Sequence, residues 1–208
     1  MRRGRTAGVI GALALVLAGA GHAGNGPLAA TVNGVGISRD RLEAKVNAHL
    51  NGRGSGFQFM THPAQYEEVR RQVLEALIGE ELLWQEARSK RLVVPAEEVE
   101  RALAGIRARF PSEEGFRSEL TNRGFVEATF AEDVKRELSV ARLIREEIAG
   151  GVIVSDEEVD AFIRARPDKK GRPEEARAYL HAEKVRLAVE KRVERLRTAG
   201  EIEIMELR

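Results

Sequence analysis

Apolar residues recur at helical spacing over most of this chain, and the longest such run, residues 63–91, is the one the other elements need. Tyr66, Val69, Val73, Leu77, Trp84 and Ala87 follow one another at steps of three, four and seven, which places them on one face of a helix. Leu74, Ile78 and Leu82 make a second apolar row, so the middle of this helix needs neighbours on two sides. Pro63 suits the first helical turn, and Arg88, Lys90 and Arg91 suit the negative end of the helix dipole.

The elements on either side are read the same way. Asn33-Gly34 lies between Ala30-Thr31-Val32 and Val35-Gly36-Ile37, which predicts a tight hairpin because both central residues must take positive φ. Ser38 then caps a helix through Leu42, Val46 and Leu50. Residues 51–62 form a glycine-rich loop carrying Phe57, Phe59 and Met60, side chains that either tuck back onto the fold or serve as a contact surface.

Beyond the main helix, Pro95 to Phe110 is helical with Val99, Leu103 and Ile106 inward, and Ser112 to Gly124 is a short helix with Phe116 and Leu120 inward. A second long helix, Phe125 to Ala149, carries the stripe Val126, Phe130, Val134, Leu138, Ala141, Ile144 and Ile148 and stops at Gly150-Gly151. Ser155 and Glu158 form a capping box for a helix reaching Arg166. Residues 94–100 echo residues 154–160, which reads as one helix-start device used twice. After the turn-like break Pro167 to Pro173, the last helix runs from Glu174 to Ala199, striped by Ala178, Ala182, Val185, Val189, Val193 and Leu196. Ile202 to Met205 alternates like a short strand, and a lone strand needs an edge. The hairpin supplies it. The expectation is a mostly α, multi-helix domain with a small β-sheet formed by the N-terminal hairpin and the C-terminal strand.

Composition changes the picture at the N-terminus. Arg2, Arg3 and Arg5 precede an apolar run, Ala7 to Ala18, and Gly21-His22-Ala23 offers small residues at the two positions a signal peptidase reads. Residues 1–23 therefore read as a secretory signal peptide in preference to an uncleaved anchor, the apolar run being too short for a membrane span. Without those three arginines the formal charge moves from +1 to −2, which argues against a nucleic-acid partner. There is no cysteine, so neither disulfides nor lipidation of the leader is expected, and packing alone must hold the exported chain together.

Taken in order, the leader, VNGVGISRDRLEAKV, LEALIGEELLWQEARSKRLVVPAEEVERAL and VIVSDEEVDAFI resemble the N-terminal chaperone domain of the SurA/PpiD-like periplasmic foldases. The resemblance spans nearly all of residues 24–208 and implies a periplasmic domain that binds unfolded or partly folded exported or outer-membrane proteins without ATP. In that family a prolyl isomerase domain of the parvulin type follows the S-D-E-E-V helix. Here only Pro167 to Pro173 stands in that place, so the family's isomerase label is carried over without a domain to perform it.

The residues themselves offer no competing chemistry. His49, His62 and His181 are far apart, no zinc-ligand spacing occurs, and there is neither a phosphate-cradling glycine loop nor a nucleophile elbow. No metal, cofactor or catalytic group is expected. Acidic pairs such as Glu80-Glu81, Glu97-Glu98 and Glu157-Glu158 read as solvated faces, with Glu80 the exception that meets a basic residue across a helix interface. Two functions remain: a general holdase for unfolded exported chains, or a structural adaptor for one secretion or envelope-assembly partner, with residual prolyl isomerase activity a distant third. Client contacts are expected at Phe57, Phe59 and Met60, with Phe110 and Phe116, flanking Pro111, as a second set. The number of subunits stays open.

Overall fold

A computed structural model describes residues 27–52, 63–122, 127–165 and 172–205. The leader, the loop with Phe57, Phe59 and Met60, and Gly124 lie outside the described residues.

Strands β1 (Leu28–Val32) and β2 (Val35–Ser38) pair antiparallel around Asn33-Gly34, whose φ angles of 51° and 79° are those of the expected tight turn. Strand β3 (Ile202–Ile204) pairs antiparallel with the other side of β1, giving the order β2-β1-β3. The two ends of the described chain therefore meet, as the alternation at Ile202 to Met205 required. Asn33 does more than turn the hairpin. Its backbone N–H donates to the Glu201 carbonyl at 2.8 Å and its side-chain oxygen accepts from the Glu201 N–H at 2.8 Å. A Cβ at Gly200 would lie 2.9 Å from that same oxygen, so only glycine lets the chain enter β3 here. Deleting the chain from Ile202 onward is expected to destabilise the protein by roughly 2 kcal/mol, from the lost strand pairing and the exposure of Val32. A lower thermal midpoint together with faster amide exchange at Asn33 and in the last turns of the final helix would bear this out; an unchanged melt would refute it.

Helix α1 (Arg39–Gly52) starts under the Ser38 hydroxyl, which accepts from the Arg41 N–H, and buries Leu42, Val46 and Leu50. Helix α2 (Pro63–Ser89) is the scaffold. Leu74, Leu77 and Ile78 join α1 and the sheet in the main core, while Leu83 and Ala87 face a second cluster. The helix ends before the basic run does. Arg91 adopts φ 59°, and the Leu92 N–H reaches back to the Ala87 carbonyl at 2.8 Å, a left-handed cap usually made by glycine.

Helices α3 (Ala96–Arg107) and α4 (Glu113–Asn122) pack on α5 (Glu127–Leu143) around Val99, Leu103, Phe116, Leu120, Phe130 and Val134. The α5 stripe departs from expectation at its end. A five-residue π turn, Ile144–Ile148, and a short 3-10 turn, Ala149–Gly151, replace the last α-helical turns. The wider turn inserts a residue, so Leu143 and Ile148, five apart, are buried instead of the Ile144–Ile148 pair that α-helical spacing selects.

Helix α6 (Asp156–Ala165) begins with the expected reciprocal cap: the Glu158 N–H donates to the Ser155 hydroxyl and the Ser155 N–H to the Glu158 carboxylate at 2.9 Å. The final helix, α7 (Pro173–Ala199), is joined to two separate cores. Its C-terminal half lays Val189, Val193 and Leu196 against α2 and Leu143. Gly79 permits the approach, since a Cβ there would stand 3.3 Å from Val193. The Arg192 Nε donates to Glu86 at 2.8 Å, and Arg197 pairs with Glu75, so ion pairs clamp the same half. Its N-terminal half belongs to the small cluster Val154, Val159 and Ala176, with Phe162, Ile163 and Leu180 around it.

Candidate functional site

Two features of the described residues could carry function: a polar chain that runs from the buried Glu81 out to the exposed Asn33, and the apolar residues that the body leaves uncovered. The polar chain centres on Glu81, which is 3% exposed although its neighbour Glu80 is not buried. Arg136 of α5 donates to the Glu81 carboxylate at 2.8 Å and Gln85 donates to it at 2.9 Å. Gln85 also donates to the Val32 carbonyl at 3.0 Å and accepts from the Asn33 amide at 2.7 Å. The chain thus links α5, α2, the hairpin turn and, through Asn33, the entry to β3. Glu81 is therefore not the solvated residue that its acidic pair suggests: it lies one turn beyond Ile78 on the apolar side of α2, and Arg136 comes to it from 55 residues away. Glu80 behaves as expected, meeting Lys45 at 3.3 Å and Arg41 at 3.8 Å across the α1–α2 interface.

Burial first, then the hydrogen bond to Glu43, pushes the Tyr66 phenol up to about 12, so it stays protonated and donates to Glu43 at 2.7 Å. Burial likewise raises the Glu137 carboxyl, whose charged neighbours are Lys45, Glu80 and Asp133. Among the described residues no three His, Asp or Glu side chains converge as a metal site, and no helix is long and apolar enough to cross a membrane.

The expected contact residues separate. Phe57, Phe59 and Met60 lie outside the described residues. Phe116 is 1% exposed, edge-on to Phe110 at 5.5 Å and to Phe130 at 6.0 Å, with the Arg107 guanidinium over its ring. A side chain enclosed on all these sides has no face for a partner, so Phe116 belongs to the core. Phe110 is half-buried at the margin of the same cluster.

The apolar surface that sequence reasoning missed is on the arm formed by α6 and the first half of α7. Residues 178, 182 and 185 continue the stripe of Val189, Val193 and Leu196 by helical geometry, yet Ala178 and Ala182 are exposed. Helix α6 packs on the opposite side, through Ala176 and Leu180, with Arg177 donating to the Val154 carbonyl and Lys184 to the Ile153 carbonyl, 2.7 and 2.8 Å. Lys184 also pairs with Glu158, and that hydrogen bond holds the Glu158 carboxyl below its ordinary range. Ile153, 79% exposed, and Leu187, 53% exposed and one turn beyond Lys184, are uncovered too, and Tyr179 is exposed beside Phe162, ring centres 5.2 Å apart. These side chains are dispersed among Glu183, Arg186 and Glu190, which pair with one another at the surface. In the sequence the stripe is continuous from Ala178 to Leu196, with no local signal for where its cover ends.

A sequence-family model described as the SurA-like N-terminal domain matches residues 3–144, from before the hairpin to the start of the π turn. The chain belongs to the SurA-like N-terminal domain family. Three curated relatives carry the name Chaperone SurA. That of Chromobacterium violaceum is 32% identical over 139 residues, covering 66% of this chain and 32% of the relative. That of Alcanivorax borkumensis is 28% identical over 144 residues, covering 69% and 32%. That of Pseudomonas syringae pv. syringae is 32% identical over 169 residues, covering 78% and 38%. The chain spans about a third of the length of these relatives. In this SurA-like chain α6 and α7 are joined through residues 166–172 alone, the place where the resemblance puts an isomerase domain.

Proposed function

We propose that this SurA-like chain is an ATP-independent chaperone of the periplasm that holds unfolded or partly folded exported proteins. The observation that carries the reading is the set of exposed apolar side chains on the arm, Ala178 and Ala182 on the α7 stripe together with Ile153, Tyr179 and Leu187. Single apolar side chains set among paired charges can hold an extended segment weakly without making the surface insoluble. The family match and the relatives' chaperone names support the same reading.

In this proposal the signal peptide at 1–23 directs export, residues 24–208 form the chaperone domain, and Phe57, Phe59 and Met60 add adaptable contacts to those of the arm. The protein holds clients without catalysing prolyl exchange. An adaptor for one envelope-assembly partner is the competing reading, and a panel of unrelated unfolded clients separates the two. Broad suppression of aggregation is expected; a single tight partner with no general suppression would favour the adaptor. Changing Phe57, Phe59 and Met60 together to serine is expected to weaken holding while the melting temperature stays nearly unchanged. A large loss of stability would instead mark them as core, and unchanged holding would remove them from the contact surface.

A further inference from the structure

The register of the sheet leaves one set of backbone groups unassigned. The Asn33 N–H donates to the Glu201 carbonyl and the Met205 N–H to the Ala29 carbonyl, while Thr31 stands opposite Glu203. In an antiparallel ladder these are the hydrogen-bonded pairs, so residues 201, 203 and 205 turn their backbone toward β1. Ile202 and Ile204 therefore point theirs away from β1, to the edge of β3 that no strand among the described residues pairs with, where two N–H and two C=O groups can receive another strand. On the core face Ile202 packs against the main cluster, but Ile204, opposite the buried Ala30, is 50% exposed at the margin of the sheet. Among the described residues no fourth strand covers that margin. The other edge is less open, since β2 runs into the buried Ser38 and the start of α1.

We propose that the β3 edge receives an extended segment of an unfolded client as a fourth strand, a proposal that rests on the chaperone reading above and names how part of the client is held. Backbone pairing suits a protein that must take many sequences, because every residue except proline offers the same donor and acceptor. The strand that fits carries an apolar residue beside Ile204 and a neutral or basic residue beside Glu203. A second copy of the chain fits badly. Antiparallel pairing of two β3 strands through all their outward groups sets Ile202 against Ile204 and Glu203 directly against Glu203, and like charges so placed repel.

The test uses the full chain and an unstructured peptide of alternating valine and threonine with one central lysine. Amide exchange is expected to be fast at Ile202 and Ile204 and slow at Glu203 and Met205 in the protein alone, with Ile202 and Ile204 becoming protected as peptide is added. Protection at Ile202 and Ile204 before any peptide is added, or none gained after it, would overturn the proposal. Ile204→Pro removes an outward donor without touching the ladder to β1, and is expected to weaken peptide binding about ten-fold while Glu203 and Met205 stay protected. Should that variant loosen β3 itself, the parent chain with a peptide N-methylated along one edge gives the same answer: binding as tight as that of the unmethylated peptide would overturn the proposal. Aggregation suppression by the parent chain is measured alongside. If suppression occurs without protection at Ile202 and Ile204, the edge is wrong and the chaperone reading stands; if suppression fails, that reading falls while the peptide titration still decides the edge.

Discussion

Phe116→Ala is expected to destabilise the protein by roughly 3–5 kcal/mol, the loss that follows when a fully enclosed aromatic site is emptied. The ring is enclosed by Phe110, Phe130 and Arg107, and its cluster is the one that joins α3, α4 and α5. Removing it leaves a cavity between three helices, which the Arg142–Glu98 and Arg107–Glu113 ion pairs at their surface do not fill. Phe110→Ala, at the half-buried margin, is expected to lose about 1 kcal/mol, because less of its surface leaves water on folding. Urea unfolding of both variants checks the pair. Equal small losses would return Phe116 to the candidate contact residues.

Arg136→Met is expected to lower stability by about 3 kcal/mol, because it strands the buried Glu81 carboxylate, to which Gln85 remains as a neutral donor. Part of the loss comes from the guanidinium resting 5.4 Å over the Trp84 ring. The size of the effect reflects an uncompensated buried charge and not the net value of the ion pair. Pairing the change with Glu81→Leu is therefore expected to recover most of the stability, since leucine extends the row of Leu74 and Ile78. A double-mutant cycle in denaturant gives both numbers. An Arg136→Met variant as stable as the parent would mean that water already reaches Glu81. Because Gln85 ties Glu81 to Val32 and Asn33, amide exchange at Glu201 and in β3 is expected to rise with Arg136→Met and to fall again in the pair.

The contact surface was only partly legible in the sequence. Aromatic content led to Phe110 and Phe116, but a phenylalanine between two short helices is as apt for a core as for a surface, and the packing of α3, α4 and α5 put Phe116 inside. Conversely, Ala178 and Ala182 share one stripe with Val189, Val193 and Leu196 in the sequence, yet only the latter three are packed against the body. Periodicity tells which residues share a face and is silent on where the covering body stops.

What the sequence alone determined is what short-range backbone physics decides. Asn33-Gly34 requires positive φ at two successive residues, and Ser38 and the Ser155–Glu158 pair satisfy N–H groups within their own first turns. The apolar rows of α1 and α2 and the union of the two chain ends follow from spacings of two to four residues. Tertiary structure decided the rest: the burial of Glu81, the π turn that moves the seam from Ile144 to Leu143, the left-handed cap at Arg91 and the half of α7 that stays uncovered. Each depends on a partner that local pattern cannot supply, as when Arg136 reaches Glu81 from 55 residues away and Arg192 reaches Glu86 from 106. A side chain's own turn sets its direction, but only the neighbours that arrive there decide whether water, an apolar wall or a charge receives it.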